Sequence, residues 1–218
     1  MSLSLTLIII IITVLISLQG FNNQDFLYRM ALSPHDVKHN KRYYKLISHI
    51  FVHSDWPHLL FNMMSFYFLG DAILNIPADP SHAISGGLVQ TYGFVQGNIH
   101  FLILYFVGGF FATFWPMIRN QDNSRYVSLG ASGAVSSVIF AMLLWNPAIE
   151  LQLMFLPGIP IPAYVFGPLY LAFEFWAFKR AKTNIAHDAH IGGAVFGLLY
   201  VLIINSEKGK EFFNIIFR

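Results

Sequence analysis

Long apolar runs dominate this sequence and restrict the chain to folds that a lipid bilayer can surround. Apolar residues make up 56% of the 218 residues and charged residues only 11%, whereas a soluble domain carries about a quarter charged residues. The mean hydropathy is +0.56. Because a bilayer core requires about 20 mostly apolar residues per helix, the sequence predicts an integral membrane protein.

Six stretches are long and apolar enough, or nearly so, to span a bilayer: residues 3–18, 56–74, 99–118, 129–145, 151–177 and 189–205. The first, fourth and sixth are short, which predicts helices that end inside the membrane or meet a thinned bilayer. The first lacks a positive region and a cleavage signature, which favours a retained span over a signal peptide. The short linkers predict a single domain over residues 1–218.

Two segments are predicted to be irregular. Residues 151–177 contain four prolines, and proline removes a backbone donor and clashes inside a helix. The helical part is therefore predicted to begin near Pro168, at about residues 165–177. Residues 71–98 are rich in Gly, Pro and Ser and are predicted to form a flexible connection.

Charge and cysteine usage exclude several classes of function. The formal charge is +2 and no Lys/Arg cluster alternates with aromatic residues, so nucleic acid is not an expected partner. The chain has no cysteine, so a catalytic nucleophile must be an oxygen atom. Ten of the thirteen Lys and Arg residues lie in loops after the first, third and fifth stretches. When all Lys and Arg residues in the loops are counted equally, the positive-inside rule puts both termini outside the cytoplasm.

Polar residues within apolar stretches are costly in lipid and are therefore functional candidates. His58 and Asn62 are four residues apart, as are Ser132 and Ser136, so each pair shares a helical face.

The sixth stretch adds a third group, in which His190 is followed after three and seven residues by Gly193 and Gly197. Glycines at that spacing allow close helix contact. The second, fourth and sixth stretches run in the same direction, and each polar group lies in the first turn or two. The groups therefore share one side of the membrane. A hydroxyl, two imidazoles and an amide at one place are what acyl transfer needs as nucleophile, base and oxyanion donors.

Residues 130–133 read Gly-Ala-Ser-Gly and join a polar loop to the fourth stretch. Gly130 allows a sharp turn, and Gly133 allows a neighbouring backbone to approach. Ser132 is predicted to lie at a helix start, where unpaired N–H groups and the positive end of the dipole favour a developing negative charge.

Three segments together resemble the signatures of the rhomboid intramembrane serine proteases: "HSDWPHLLFN" (53–62), "GASG" (130–133) and "AHIGG" (189–193). The resemblance covers about residues 3–205. It implies an all-α, polytopic bundle of six transmembrane helices that cleaves transmembrane segments of membrane proteins without a cofactor. It also implies a multi-pass protein of a bacterial inner membrane. The N-terminus is then in the cytoplasm and the active site faces the outer side, which is the reverse of the orientation that the positive-inside count gives.

The resemblance also assigns roles to individual residues. Ser132 is expected to be the nucleophile, and His190 its general base in a two-residue dyad. Asn62, His58 and the Ser132 backbone N–H are expected to form the oxyanion hole. Gly130 and Gly133 are expected beside that hole or the substrate, and structural support is expected from His53, Gly193 and Gly197.

The chain departs from the family pattern at two places. Tyr44-Lys45 stands where relatives often carry Trp-Arg, which is expected to alter the packing of the first loop. Ser136 stands where many relatives have an aromatic residue. The smaller, polar side chain predicts a roomier and more polar substrate cavity.

Plainer interpretations exist for each feature. Small residues such as those of Gly-Ala-Ser-Gly are common at helix contacts, and His190 alone is compatible with a hydrogen-bonded core histidine. His49, His53 and His58 could be taken as a metal set, but no carboxylate or thiolate joins them at a ligand spacing, so no metal is predicted. Asp188 lies about 200° around the helix from His190, so it is not expected to orient that ring.

Two other functions compete with proteolysis. A catalytically inactive rhomboid-like protein that binds and escorts membrane proteins would use the same fold without needing both Ser132 and His190. A small transporter would need charged residues near the membrane midplane. Apart from Glu174 near the end of a stretch, the sequence offers none.

Overall fold

The computed structural model describes residues 4–152, 158–180 and 186–217, and nearly all regular structure in them is helical. A short antiparallel hairpin joins β1 (Glu150–Gln152) to β2 (Pro160–Pro162). The helices of the first half are α1 (Leu5–Asn22), α2 (Gln24–Met30), α3 (Pro34–Asn40), α4 (Lys45–Ser48) and α5 (Trp56–Ser65, continued through Phe66–Gly70 and Asp71–Asn75). Those of the second half are α6 (Leu88–Tyr92), α7 (Phe94–Asn120), α8 (Ser132–Trp145), α9 (Ala163–Arg180), α10 (His187–Ile204) and α11 (Glu207–Ile216).

Helix α8 lies at the centre of the bundle. It packs against α5, α7, α9 and α10, and all of its residues are buried except Ser132 and Ile139. A helix that is apolar on every side lies in a protein core or in lipid, and here neighbouring helices cover it. The partly exposed Ser132 at its first position is therefore an exception that marks an opening in the packing.

The contact between α8 and α10 depends on glycine. A Cβ on Gly193 would overlap the Gly133 carbonyl, and a Cβ on Gly197 would overlap the Ser137 carbonyl. Without side chains at these two positions, the backbones approach as closely as small residues allow in membrane helices. The spacing of four residues keeps both glycines on one face of α10, so the two helices stay in contact for more than a turn.

Helices α5 and α7 each contain a π-helical turn, at Phe66–Gly70 and Ile103–Val107. The two turns pack together, with the ring centroids of Phe66 and Tyr105 4.7 Å apart. A π turn inserts one residue into the helical ladder. The buried Ser137 hydroxyl donates to the Leu104 carbonyl at 2.8 Å, which gives a carbonyl of the second π turn a partner from α8.

The first loop is anchored by a buried lysine. Lys45 Nζ donates to the carbonyl oxygens of Tyr28 at 2.8 Å and Ala31 at 3.0 Å, at the end of α2. A cation is favourable there because helix C-termini carry partial negative charge. Lys45 thus connects α2 to α4, and a pair of backbone hydrogen bonds between Leu32 and Ser128 connects the first loop to the loop before α8.

Helix α9 begins earlier than the prolines predict. It starts at Ala163, so the prediction of a start near Pro168 is wrong by five residues. The loop satisfies the first backbone donors of the helix: Ala163 N–H bonds the Ile149 carbonyl and Tyr164 N–H bonds the Pro147 carbonyl. Pro168 therefore costs a donor within the helix without ending it. Pro157 lies outside the described residues.

Residues 71–98 are more ordered than a flexible connection. Both ends of this segment are helical, and its middle contacts the end of α8. Trp145 Nε1 donates to the Gly86 carbonyl at 2.9 Å, and the Asn146 side chain bonds both the N–H and the carbonyl of Ser85. Composition alone missed this anchoring because the partners lie about 60 residues away in the sequence.

By length and hydropathy, three of the described helices can cross a membrane: α1, α7 and α10. Helix α8 is also apolar, but with 14 residues it is shorter. At 1.5 Å per residue it is about 21 Å long, against a hydrocarbon core of about 30 Å. The protein is thus a polytopic helical membrane protein, while the count of six spans stays a prediction.

Candidate active site

The loop before α8 takes a shape that only glycine adopts easily. Gly130 has a φ of 115°, in the region that favours glycine. A Cβ at this position would lie 2.6 Å from Cε1 of His58. The glycine therefore serves two purposes, since it permits the turn and leaves space for the imidazole.

Ser132 is the first residue of α8. The N–H groups in the first turn of a helix have no intrahelical partner and form the positive end of the dipole. Within the described part of the chain, the Ser132 hydroxyl makes no hydrogen bond. A hydroxyl without a partner at a helix start can approach an electrophile whose developing oxyanion the backbone donors stabilise.

His53 is hydrogen-bonded to the loop that precedes α8. Its Nε2 accepts the Ala131 N–H at 3.2 Å, so the neutral ring carries its proton on Nδ1 and donates it to Ser17 Oγ at 2.9 Å. Ser17 Oγ in turn donates to the Phe51 carbonyl at 3.0 Å. Burial lowers the pKa of His53 to about 3, which keeps the ring neutral and able to accept.

The "HSDWPH" segment starts α5 and orients His58. Asp55 is the N-cap and accepts the His58 N–H at 2.8 Å. Ser54 Oγ donates to Asp55 Oδ2 at 2.7 Å and lies 3.0 Å from His58 Nδ1. Because the Ser54 proton is directed to the carboxylate, His58 must donate from Nδ1, and its neutral ring then carries a lone pair on Nε2.

Asn62 lies one turn further along the same face. Its Nδ2 donates to the His58 carbonyl at 2.9 Å. An amide nitrogen has two hydrogens, so one N–H of Asn62 is left for a ligand.

His190 is bonded to a carboxylate that the sequence analysis did not include in the site. Its Nδ1 lies 3.1 Å from Glu174 Oε1, and His187 Nδ1 lies 2.6 Å from Glu174 Oε2. The Glu174 side chain is only 4% exposed and that of His190 13%. With Nδ1–H directed at the carboxylate, Nε2 of a neutral His190 carries the lone pair that a general base requires.

A cavity of about 760 Å³ joins these groups. It is lined from α5 by His58, Asn62 and Phe61, from α8 by Ser132 and Ser136, and from α9 and α10 by Tyr170 and His190. Ser132 and His190 therefore face the same space, although no hydrogen bond joins them among the described residues. Catalytic hydrogen bonds are often long before substrate binds.

The glycines assigned to the site do not line this cavity. Gly133 packs between helices instead, because a Cβ there would lie 2.6 Å from the Ala112 Cβ. Gly193 and Gly197 likewise lie at the contact of α10 with α8. Gly130 acts through the space it leaves for His58, as described above.

One cluster in the described part of the chain could hold a metal ion, and it is not the one considered from the sequence. Glu174, His187 and His190 offer ligand atoms within 4.8 Å of one another. The first-loop histidines His49 and His53 do not belong to it. The short N–O distances in the cluster are those of hydrogen bonds.

Asp188 makes no hydrogen bond to His190 among the described residues, as its position on the helix predicts. Its Oδ1 accepts the Ala189 N–H at 3.0 Å, and it lines a separate small cavity with Arg119 and Tyr126. Glu174 is not among the site residues expected from the sequence, although the sequence contains a signal for it. It is the only charged residue in 151–177, and a carboxylate within a predicted membrane span indicates a functional group by default.

Comparison with known proteins defines the class of this membrane bundle. The chain matches the Rhomboid domain over residues 40–207, which is more than half of its length, and it therefore belongs to the rhomboid family. It is 29% identical over 177 residues to the RHOMBOID-like protein 12, mitochondrial, of Arabidopsis thaliana, covering 80% of this chain and 50% of that protein.

Two further relatives differ in what their names state. The Presenilin-associated rhomboid-like protein A, mitochondrial, of Danio rerio is 32% identical over 106 residues, or 48% of this chain and 28% of that protein. The Rhomboid protease GluP of Bacillus subtilis (strain 168) is 24% identical over 193 residues, or 88% of this chain and 32% of that protein. The chain thus spans half or less of the length of these relatives.

Proposed function

We propose that this protein is an intramembrane serine endopeptidase that cleaves transmembrane segments of membrane proteins. The observation that carries the proposal is the shared cavity of Ser132 and His190. The serine hydroxyl makes no hydrogen bond to any of the described residues, and the histidine is held through Nδ1. Family membership and the similarity to a relative named as a protease support it.

The reaction proceeds through an acyl-enzyme. His190 Nε2 takes the proton from the Ser132 hydroxyl while the serine oxygen attacks the scissile carbonyl carbon. The carbon–nitrogen bond then breaks, and His190 returns the proton to the leaving amine. Water, deprotonated by the same ring, then attacks the ester carbon. The carbon–oxygen bond to Ser132 breaks, the ring returns the proton to the serine oxygen, and the new carboxylate is released.

The oxyanion is stabilised by the free N–H of Asn62 and by the Ser132 backbone N–H. Each donor contributes about 2–4 kcal/mol to lowering the barrier. His58 joins them only when its proton moves to Nε2, which requires Ser54 to turn its hydroxyl from Asp55 to His58 Nδ1. Asn62 is therefore the more important of the two side chains in the resting arrangement.

Substrate enters between α5 and α9, where Phe61 and Tyr170 line the cavity. A helical substrate must unwind locally to expose its carbonyl, so residues that weaken helices favour cleavage. Ser136 widens this space and adds a hydroxyl. The transmembrane segment of a single-span protein is thus the expected substrate, and the lipid bilayer its route to the enzyme.

The relatives do not identify the membrane in which this protein lies. Several relatives carry "mitochondrial" in their names and one is bacterial, so they do not favour a bacterial inner membrane over a mitochondrial one. The cavity opens at the end of the bundle where α5, α8 and α10 begin. We propose that this end faces away from the compartment of the N-terminus.

Labelling with a fluorophosphonate probe tests the proposal. The purified protein in detergent is expected to be labelled, and the Ser132→Ala variant is expected to remain unlabelled, because the probe reacts with an activated serine. His190→Ala is expected to reduce labelling strongly. Equal labelling of wild type and Ser132→Ala would contradict the proposal.

A catalytically inactive escort protein is the alternative function. The observation that favours it is the missing hydrogen bond between Ser132 and His190 in the described part of the chain. Such a protein would bind single-span membrane proteins without releasing fragments. Co-expression with a panel of single-span candidates distinguishes the two functions, since only the protease produces cleaved fragments that disappear with Ser132→Ala.

A further inference from the structure

We propose that Glu174 is a positioning residue for His190, so that the site combines a nucleophile, a base and a buried carboxylate instead of two residues alone. The inference rests on the proposed protease function. Glu174 does not touch the reacting atoms, and it acts through the ring that does.

The contact fixes the ring in the state that the reaction requires. Glu174 Oε1 lies 3.1 Å from His190 Nδ1, and an ionised carboxylate can only accept a hydrogen bond. The proton of the neutral ring is therefore on Nδ1 and the lone pair is on Nε2. The carboxylate also faces the positive charge that His190 gains when it takes the serine proton, as in the better-known serine protease triads.

The carboxylate is itself held in one orientation. His187 Nδ1 lies 2.6 Å from its second oxygen, and His187 and His190 are three residues apart, on one face of α10. The Tyr170 hydroxyl, one turn earlier on α9, also interacts with Glu174. Because each oxygen has its own imidazole, the carboxylate cannot rotate without breaking a hydrogen bond.

Burial gives the charge of Glu174 a cost that its contacts must offset. The Glu174 side chain is 4% exposed and lies within a helix of a membrane bundle, where an unpaired carboxylate is strongly unfavourable. A glutamine or an apolar residue would avoid that cost. The charge is therefore retained where it supports the ring that lines the cavity.

Asp188 supplies a matched control within the same region. It is a carboxylate two residues from His190, but its Oδ1 accepts the N–H of Ala189 and it lines a different cavity. Changing it to asparagine alters charge near α10 to the same extent as Glu174→Gln and leaves the contact with His190 in place.

The experiment measures kcat and KM separately for purified wild type, Glu174→Gln, Asp188→Asn and Ser132→Ala on a transmembrane peptide. Glu174→Gln is expected to lower kcat by between about 100-fold and 10,000-fold. Its KM and thermal midpoint are expected to stay close to wild type. Asp188→Asn is expected to keep kcat within about threefold, because a substitution away from the contact removes no transition-state interaction.

The outcomes separate this inference from the function beneath it. Unchanged kcat in Glu174→Gln, with Ser132→Ala inactive, would overturn the role of Glu174 and leave the protease intact. Wild type that neither cleaves nor takes the probe would overturn the protease itself. A drop in thermal midpoint and a rise in KM that account for the whole loss would show a structural role and overturn the inference.

A measurement on the wild type needs no variant of Glu174. Nitrogen-15 spectra of histidine-labelled protein, with the His190 signals assigned by their loss in His190→Gln, report which ring nitrogen carries the proton. A proton on Nδ1 supports the inference, and a proton on Nε2 in the resting enzyme would contradict it.

The same three side chains could instead serve a cation, since two histidines and a glutamate form a known zinc ligand set. A cation would have to break both hydrogen bonds to Glu174. Incubation of wild type with a chelator is therefore expected to leave kcat unchanged. Activity that is lost with the chelator and restored by Zn²⁺ would replace the positioning role with a metal site.

Discussion

At position 130 the backbone has a φ of 115°, and a Cβ there would lie 2.6 Å from the His58 ring. Gly93 has a φ of 82°, but a Cβ there would meet nothing within 4 Å. The two glycines therefore share a strained backbone and differ in their surroundings. Alanine substitutions at the two positions therefore distinguish the free-energy cost of the positive φ from the cost of displacing His58.

The substitutions Gly130→Ala and Gly93→Ala are both expected to destabilise the protein, by about 1–3 kcal/mol for a non-glycine residue at positive φ. Gly130→Ala is expected to destabilise it more, because its Cβ must also displace His58. Only Gly130→Ala is expected to lower kcat as well, because it forces His58 out of the oxyanion end of the cavity. Thermal unfolding and peptide cleavage check the two parts. Full activity in Gly130→Ala would show that the position of His58 is unimportant.

Much of the candidate site could be predicted from the spacing of polar residues within each span. The spacing of His58 and Asn62, and the position of Ser132 at a helix start, follow from helical geometry and the direction of the spans. The partner of His190 could not, because Glu174 lies 16 residues before it and only the packing of α9 against α10 brings the two together. Periodicity within one helix carries no information about that contact.

At the scale of helices, the closest packing in the site region is between α8 and α10. A Cβ on Gly197 would overlap the Ser137 carbonyl, whereas Val195 on another face of α10 is 39% exposed. Backbone atoms cannot move aside as a flexible side chain does. The distance between Ser132 and His190 is thus set by glycines that touch neither residue.

Gly197→Val is expected to lower the thermal midpoint and to reduce probe labelling, since overpacking of a tight contact costs about 1–3 kcal/mol and separates the two helices. Val195→Leu, an enlargement on the exposed face of the same helix, is expected to change neither. Thermal unfolding in detergent and fluorophosphonate labelling measure both effects. Normal labelling of Gly197→Val would mean that this contact does not control the site.

The helices themselves were largely predictable, and their details were not. Apolar runs locate α1, α7, α8 and α10 because burial in lipid requires a continuous helix. The start of α9 depends on carbonyl oxygens of Pro147 and Ile149 that accept its first N–H groups. The π turns are invisible to a hydropathy window, since inserting one residue leaves the composition unchanged.

At the scale of the molecule, two buried histidines of the first loop hold the loop that precedes α8 at the cavity. His53 accepts the Ala131 N–H, and the backbone carbonyl of His49 accepts the Gly130 N–H. Burial lowers the pKa of His49 to about 4, and burial together with the nearby His58 lowers that of His53 to about 3. The folded protein therefore keeps both rings neutral in mild acid.

Acid is expected to destabilise the protein. The pKa values of His49 and His53 in the folded protein lie below the unfolded value of about 6.5. The contribution of the two neutral rings to the free energy of unfolding is therefore complete above pH 6.5 and is lost as the pH falls towards 4. Each histidine contributes a slope of up to about 1.4 kcal/mol per pH unit in that range. Thermal midpoints measured from pH 7.5 to 4.5 check this. His49→Gln is expected to show a smaller slope, and a midpoint that rises in acid would contradict the assignment.

The π turn in α5 also divides that helix into two parts of different phase. His58 and Asn62 lie in Trp56–Ser65, before Phe66–Gly70, and Asp71–Asn75 follows it. Deleting one residue from the turn would restore an uninterrupted α-helix and rotate the following part by about 100° relative to the first. A change of length at this turn therefore alters the orientation of Asp71–Asn75 while His58 and Asn62 keep their alignment with each other.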